Sequence, residues 1–202
     1  MNAKKNSTIA IYLMAILGLG PVASFAQAST TFSGQAVALR ASAVGLRLAL
    51  SDTGPLPASG GNLKTSLASV NVLGLVSADV LSSATSGSGT SSQSQSSVQN
   101  LSLLGGLVAA DLVKSNSSAT CNGQAAVTGN SELVGLVVAG QPVLVANPNV
   151  AISLPGGISI IVNEQTSSPS GNTGAMTVNA LHLTGPSIDI IVASAHSDIT
   201  CA

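Results

Sequence analysis

The feature that most limits the fold is a regular succession of short, β-branched segments separated by turn residues. Val, Ile and Thr favour pleated strands, and segments this short are typical of sheets rather than helices. Beyond residue 120 the predicted strands are 124–128, 132–138, 142–145, 150–154, 158–164, 175–184 and 188–195. Such regular spacing predicts an all-β domain, a β-sandwich or barrel-like antiparallel sheet, with at most one short helix after a signal peptide.

The turns between these segments contain Gly, Pro and Asn, which favour chain reversal. Two of the connections, residues 139–141 and 154–158, are short enough for β-hairpins. Further upstream, the apolar alternation of residues 35–50 shifts by one residue near Gly45. A one-residue shift within a strand is typical of a β-bulge, so a bulge is predicted there.

Residues 51–114 divide into segments of different composition. Residues 51–61 form a Pro- and Gly-rich loop, and 62–69 could form one helical turn. Residues 70–81 are apolar on both faces around Gly74 and predict a strand that is buried on both sides, and 101–114 predict an apolar strand interrupted by Gly105 and Gly106. The Ser/Gly-rich stretch at 82–97 is interpreted as a long loop that passes into a strand near Ser94. The alternative is a polar strand with Ser and Gln alternating outward.

The motif Gly-Leu-Val-x-Ala-Asp occurs twice, ending at Asp79 and at Asp111, about 32 residues apart. Two copies are too few for a solenoid. The two copies are therefore expected to form neighbouring strands of one sheet.

The first 28 residues have the pattern of an export signal. Lys4 and Lys5 precede an apolar run, and small residues allow cleavage after Ala26 or Ala28. The apolar run is shorter than the roughly 20 residues that span a bilayer, so a membrane anchor is the weaker alternative. The expected mature protein is one β-rich domain, 29–202, secreted or held at a bacterial cell surface.

Charge and aromatic content exclude several classes of protein. Residues 29–202 contain four basic and seven acidic residues, which gives a net charge of −3. Neither a nucleic-acid-binding surface nor a polybasic membrane patch is expected. Phe32 is the only aromatic residue beyond the signal, so aliphatic residues must form the core. An exterior with so few charges repels its neighbours weakly, which leaves self-association open.

Cys121 and Cys201 are the only cysteines. In an oxidising compartment they are expected to form one disulfide that closes a loop of about 80 residues. The alternatives are metal binding and a reactive thiol, but no His or third Cys lies at ligand spacing from either cysteine.

Several short motifs resemble the choice-of-anchor P family of exported bacterial proteins. They are residues 32–36, 52–61, 161–165, 178–182 and 194–201, and they extend over nearly all of the mature chain. The resemblance implies an exported surface protein and provides no catalytic residue. Because no sorting motif, apolar helix or basic tail follows Cys201, it also implies a protein that is released or held non-covalently.

The candidate chemical sites each have a simpler explanation. His182 and His196, with Asp189 or Asp198, could form a metal site, but ordinary strand histidines are the preferred interpretation. A Ser-His-Asp site could include His196 and Asp198, yet no nucleophile-elbow motif is present.

Acidic and basic residues offer two further candidates. Asp79 and Asp111 occupy equivalent repeat positions and could form the carboxylate pair of a glycosidase. No aromatic residue is available to stack on a sugar, so strand-edge aspartates are preferred, and Glu132 and Glu164 are also expected at the surface. An isopeptide bond from Lys64 or Lys114 has no support from spacing. We therefore expect no catalytic, cofactor-binding or metal-binding residues and no cofactor.

The preferred hypothesis is a non-catalytic structural or adhesive protein that contacts an unknown surface, glycan or protein partner. The first alternative is a self-assembling fibre or film subunit, built through strand pairing at edges of low charge. The second is an extracellular hydrolase.

Overall fold

The computed structural model describes residues 29–43, 45–72 and 74–202. Its strands are β1 (Thr31–Ala43), β2 (Leu46–Asp52), β3 (Gly61–Leu67), β4 (Val70–Val72), β5 (Val76–Ala78), β6 (Leu81–Ser88), β7 (Ser91–Leu103), β8 (Val108–Asn122), β9 (Gln124–Val134), β10 (Val137–Val138), β11 (Gln141–Pro142), β12 (Val150–Leu154), β13 (Ile158–Ser170), β14 (Thr173–Gly185) and β15 (Ile188–Thr200). A single 3-10 turn, Leu104–Gly106, joins β7 to β8. The prediction of an all-β, antiparallel fold is confirmed. The predicted signal peptide, 1–28, lies outside the described residues.

The strands form two antiparallel sheets that pack face to face. Sheet A has the order β12-β13-β14-β15-β1-β2. In sheet B the long strands β7 and β8 pair with each other at the centre. At one end of this pair the neighbours are β6 and β9, with β3 outside β6; at the other end they are β5 and β10. Within these described ranges, no helix has the length and apolar character needed to span a bilayer.

A row of unpaired residues crosses both sheets, and we call it the crease. In sheet A it passes through Ser51, Ala38, Ala193, Ala180 and Asn163, and in sheet B through Asn100 and Asp111. Every second residue of the row is left-handed, with φ of +49° at Ser51, +52° at Ala193, +54° at Asn163 and +48° at Asn100. Since both partners of each strand pair leave one residue unpaired, the register is the same on both sides of the crease.

The crease changes which residues of a strand point inward. In β7 the buried residues are even-numbered up to Val98 and odd-numbered from Leu101. In β15 they are Ile190 and Val192 before the crease and odd-numbered from Ala195 onward. The one-residue shift that the sequence shows near Gly45 is not caused by the crease, which crosses β1 at Ala38, and the predicted bulge at Gly45 is also wrong. Gly45 lies with φ of +81° in the turn between β1 and β2, where the chain reverses.

Other sequence predictions are wrong or only partly right. The predicted strand 142–145 is paired only at Gln141–Pro142, and the predicted strand 70–81 divides into β4 and β5. Of the separately predicted strands 124–128 and 132–138, the first lies within β9, Gln124–Val134, and the second is divided between β9 and β10.

Residues 82–97 are not a Ser/Gly-rich loop, because β6 and β7 pair there as a hairpin from Leu81↔Val98 to Ser88↔Ser91. The alternative, a polar strand, is the one observed, but in β7 Gln93 and Gln95 face outward while the even-numbered serines are buried. The predicted helical turn at 62–69 is β3, which pairs with β6 and places Leu63 and Thr65 on the inner face. The repeated motifs lie in one sheet, as expected, but they are not neighbours, because β7 separates them. The two predicted hairpins, β10–β11 and β12–β13, are confirmed.

Two parts of the interior differ in chemistry. The aliphatic half contains the larger core, and its last row on sheet B consists of Leu67, Leu81, Val98, Val113 and Leu133. The next inward row carries only hydroxyl groups: Thr65, Ser83, Ser96, Ser115 and Ser131. The hydroxyl half begins at this row and ends in a small cluster of Phe32, Leu56, Ala119 and Ile199.

Hydrogen bonds connect the two sheets in the hydroxyl half. The Ser94 hydroxyl donates to the His196 carbonyl oxygen at 2.6 Å, and the Ser117 and Ser197 hydroxyls lie 2.8 Å apart. The side chains are small, so the sheets approach closely: a Cβ added to Gly34 would lie 2.6 Å from Thr85 Oγ1. The facing sheet thus supplies hydrogen-bond partners for Ser94 and Ser117. Ser83 and Ser96, in contrast, pair with each other within sheet B.

Candidate functional site

The outer face of sheet B in the hydroxyl half is almost entirely polar, and we call it the polar face. Alternation along β3, β6, β7, β8 and β9 turns one residue in two toward solvent. The outward residues are Asn62, Lys64, Ser66, Ser82, Ala84, Ser86, Gln93, Gln95, Ser97, Lys114, Asn116, Ser118, Thr128, Asn130 and Glu132. Ala84 is the single apolar residue in this set.

Strand register arranges these side chains in three rows across the five strands. The middle row is Lys64, Ala84, Gln95, Asn116 and Asn130. Two adjacent grooves lie over the rows, with volumes of about 460 Å³ and about 590 Å³, and they share Lys64, Ala84 and Gln95. The shared residues make the two grooves a continuous depression over the polar face.

Two lysines provide the charge in these grooves. Lys64 lines both grooves and Lys114 lines the second, and neither groove is lined by an acidic residue. Lys114 Nζ lies 3.9 Å from Glu132 Oε2, and both side chains are substantially exposed. An ion pair of that length and exposure is weak. Lys64 forms no ion pair with the residues that the structure describes. The grooves are therefore positively charged, whereas residues 29–202 have a net charge of −3.

Buried hydroxyl groups on the inner side of sheet B hold the strands of the polar face in place. Ser83 and Ser96 share a hydroxyl contact of 3.1 Å on the inner side of β6 and β7, and Thr85 and Ser94 share one of 2.7 Å. Ser94 also bonds to sheet A. The strands of the polar face are thus fixed by hydrogen bonds from their inner side. On the outer side the Gln93 amide donates to Ser91 Oγ at 3.3 Å, and the amides of Gln95, Asn116 and Asn130 point outward over the grooves.

His182 lies on the outer face of sheet A within a cluster of acidic groups. Its Nδ1 is 2.9 Å from Glu164 Oε2, and its Nε2 is 3.1 Å from Asp189 Oδ1. The Asn179 amide donates to the same Glu164 oxygen at 2.6 Å. The two carboxylates face opposite sides of the ring, so the three groups do not converge on one point. No metal-binding group of three or more His, Cys, Asp or Glu residues is found within 29–202 as described.

His196 is separated from His182 by five residues along the paired strand, about 17 Å. Its Nδ1 contacts Thr177 Oγ1 at 2.9 Å. A metal site shared by the two histidines is therefore wrong. The Ser-His-Asp alternative fails as well, because a threonine hydroxyl occupies the Nδ1 position where the aspartate would lie. Of four surface grooves on the described residues, none is lined by His182 or His196.

Asp79 and Asp111 lie on opposite sides of Asn100 at the crease. The Asn100 amide donates to Asp79 Oδ2 at 2.7 Å, and Asp111 is the unpaired residue opposite Asn100 on β8. Neither aspartate lines the four grooves mentioned above. The two aspartates thus lie on either side of the left-handed Asn100, and they do not form a cleft.

The predicted disulfide between Cys121 and Cys201 is present, with the Cα atoms 5.6 Å apart and a sequence separation of 80. It joins the end of β8 to the residue after β15 and so connects the two sheets at the far end of the hydroxyl half.

Comparison with known proteins identifies no relative: no family model, no curated protein and no solved structure matches the chain. The resemblance to the choice-of-anchor P family therefore stays a prediction.

Sequence reasoning missed the polar face. The available signal was the alternation in residues 91–97, where Ser92, Ser94 and Ser96 are buried and Gln93 and Gln95 are exposed. Small and long polar side chains alternate there with the period of a strand.

Proposed function

We propose that the chain is an exported, non-catalytic protein of the cell surface or extracellular space that acts by adhesion through its polar face. The single observation that carries the proposal is the continuous depression over five strands, lined by amide and hydroxyl side chains that point outward. Fixed strands position these groups without needing to fold around a partner, so little ordering entropy opposes binding.

Export is supported by the Lys4–Lys5 and apolar pattern of residues 1–28. The Cys121–Cys201 disulfide supports it independently, because such bonds persist in oxidising compartments outside the cytoplasm.

The test is binding of the purified mature protein to washed cell envelopes of the bacterium that produces it. The double variant Gln93→Ala/Gln95→Ala should lose most of the bound fraction, since both amides line the grooves. The matched control is Gln99→Ala/Gln124→Ala, which removes two exposed glutamines outside the grooves. Equal binding by both variants and the original protein would refute adhesion through the polar face.

The non-catalytic part of the proposal rests on the histidines. The ring nitrogens of His182 face two carboxylates, and Nδ1 of His196 faces Thr177. Neither arrangement presents an activated nucleophile beside a cavity. An activity screen with peptide, ester and glycan substrates tests this. Turnover that disappears in His196→Ala would show a hydrolase instead.

Self-assembly into fibres is the second candidate, and several edge strands argue against it, although the sheet A edge β12, Val150–Leu154, has neither a charge nor a proline. Arg47 and Asp52 lie on β2, Lys64 on β3, Glu132 on β9, and Pro169 on the part of β13 that extends beyond β12. Charges and prolines on edges discourage pairing with another chain. Sedimentation at high protein concentration should give a stable monomer. Fibres in electron micrographs would favour assembly.

A further inference from the structure

The polar face is small compared with surfaces that proteins use to bind one another. Its outward residues extend over five strands and three rows. With strands about 4.8 Å apart and alternate residues about 7 Å apart, the patch measures roughly 20 Å by 15 Å. A standard protein interface buries about 800 Å² on each partner. Between its outermost backbone positions the patch is narrow in both directions, which suits a single extended polymer chain better than a folded protein.

The chemistry of the patch also favours a polymer rich in hydroxyl groups. Protein interfaces derive most of their affinity from buried Trp, Tyr and Arg, and none of these belongs to the polar face. Gln95, Asn116 and Asn130 each offer two amide donors and a carbonyl acceptor along the middle row. Sugar hydroxyls both donate and accept, so they can satisfy such a row without leaving groups unpaired.

The two lysines indicate that the polymer also carries anionic groups. Lys64 and Lys114 are the only charged residues that line the grooves. They stand three strands and one row apart, which is about 16 Å. These two cations, of which Lys114 also lies 3.9 Å from Glu132 in a weak and exposed ion pair, match negative charges at intervals rather than a dense cluster.

We propose that the polar face binds an extended polysaccharide that carries carboxylate groups at intervals. Its hydroxyls meet the Gln and Asn side chains, and its carboxylates meet Lys64 and Lys114. The inference rests on the proposed adhesive function and names the partner of the same face. Without an aromatic ring to stack on a sugar, each contact is weak, and the repeated units of the polymer supply avidity.

The test is affinity electrophoresis of the disulfide-bonded mature protein in gels that contain hyaluronan, in which one sugar in two carries a carboxylate, or neutral dextran. We expect retardation by hyaluronan that weakens as salt is added, and less retardation by dextran. Lys64→Gln and Lys114→Gln should each weaken hyaluronan binding by about three- to five-fold, the effect of one exposed ion pair. The matched control is Arg47→Gln, an exposed cation on sheet A, which should change nothing.

The outcomes separate this inference from the adhesive function. Equal retardation by both polymers, unchanged in the lysine variants, overturns the inference and leaves adhesion standing. A second outcome has the same meaning: neither polymer retards the protein, but Gln93→Ala/Gln95→Ala still abolishes binding to envelopes. The partner is then of another class, such as a protein. If the polar-face variants bind envelopes as well as the original protein does, both proposals are overturned.

Discussion

Two adjacent rows on the inner face of sheet B use opposite chemistry on the same strands. Leu81, Val98 and Val113 are fully buried in the aliphatic half, and one row further along β6, β7 and β8 the buried residues are Ser83, Ser96 and Ser115. The aliphatic row gains free energy from removing apolar surface from water. The hydroxyl row gains little from burial, and it is stabilised only where a hydroxyl group has a hydrogen-bond partner, as Ser83 and Ser96 have in each other.

The difference matters for function because the polar face lies over the hydroxyl half. Its strands are polar on both sides, so burial of apolar side chains stabilises them little. Contacts with sheet A and the Cys121–Cys201 bond at the far end must hold them instead. The comparison predicts that the aliphatic half provides most of the stability and that the hydroxyl half is a scaffold fixed by specific bonds.

Removing the disulfide should have the largest effect, and it should act mainly on the hydroxyl half. Cys121→Ser/Cys201→Ser opens a loop with a sequence separation of 80 residues. The chain-entropy model assigns such a link about 4 kcal/mol. Urea denaturation measures the loss. Hydrogen exchange should rise more at residues 92–97 than at 101–103, and equal rises at both would contradict the division into two halves.

Truncation of the aliphatic row should have the next largest effect. Leu81→Ala removes a side chain with no solvent exposure and should cost about 3 kcal/mol, from lost burial and the remaining cavity. Ser83→Ala, one inward position along the same strand, should cost about 1 kcal/mol. Urea denaturation compares the two.

The control for that comparison is Leu144→Ala. Leu144 is 97% exposed, so the same truncation should change the free energy of unfolding by less than about 0.5 kcal/mol. A Ser83 variant that loses as much stability as the Leu81 variant would remove the distinction between the halves.

The same contrast explains how far the sequence could be interpreted. Strands 12 to 15 were predictable because β-branched residues and turn residues act locally. Residues 91–97 were only partly predictable: a polar strand was the alternative to a loop, because apolar periodicity is the usual signal and these residues lack it. Ser94 is acceptable inside only because the His196 carbonyl, 102 residues away, accepts its hydrogen bond. No local pattern shows that partner.

The site was hidden for a related reason. Lys64 and Lys114 line the same groove because β3 pairs with β6, β6 with β7 and β7 with β8. This order of strands in the sheet depends on the whole topology, so no local sequence pattern predicts it. The disulfide could be predicted, since two cysteines in an exported chain leave one pairing.

A methyl group at Gly34 should separate the sheets in the hydroxyl half. Gly34 does not have a positive φ, so the backbone accepts alanine, but the new Cβ would lie 2.6 Å from Thr85 Oγ1 and 3.2 Å from the His196 carbonyl oxygen. Gly34→Ala should therefore cost about 2 kcal/mol by overpacking. The free energy of unfolding from urea denaturation measures it.

Thr85→Ala in the same chain sharpens that test. It removes the nearest clashing atom, so the double variant should lose less stability than the sum of the two single variants. Additive losses would mean that the sheets are not in close contact at this point.

The smallest predicted effect distinguishes two serines on one strand. The Ser117 and Ser197 hydroxyl groups form a hydrogen bond of 2.8 Å between the two sheets. The Ser115 hydroxyl is buried and has no partner within the described residues. Ser117→Ala should cost about 1 kcal/mol, because a net hydrogen bond is lost. Ser115→Ala should be neutral or slightly stabilising, because an unsatisfied buried group is removed. Paired urea denaturation curves decide this, and equal losses at both positions would show that the hydroxyl row is stabilised by something other than its individual hydrogen bonds.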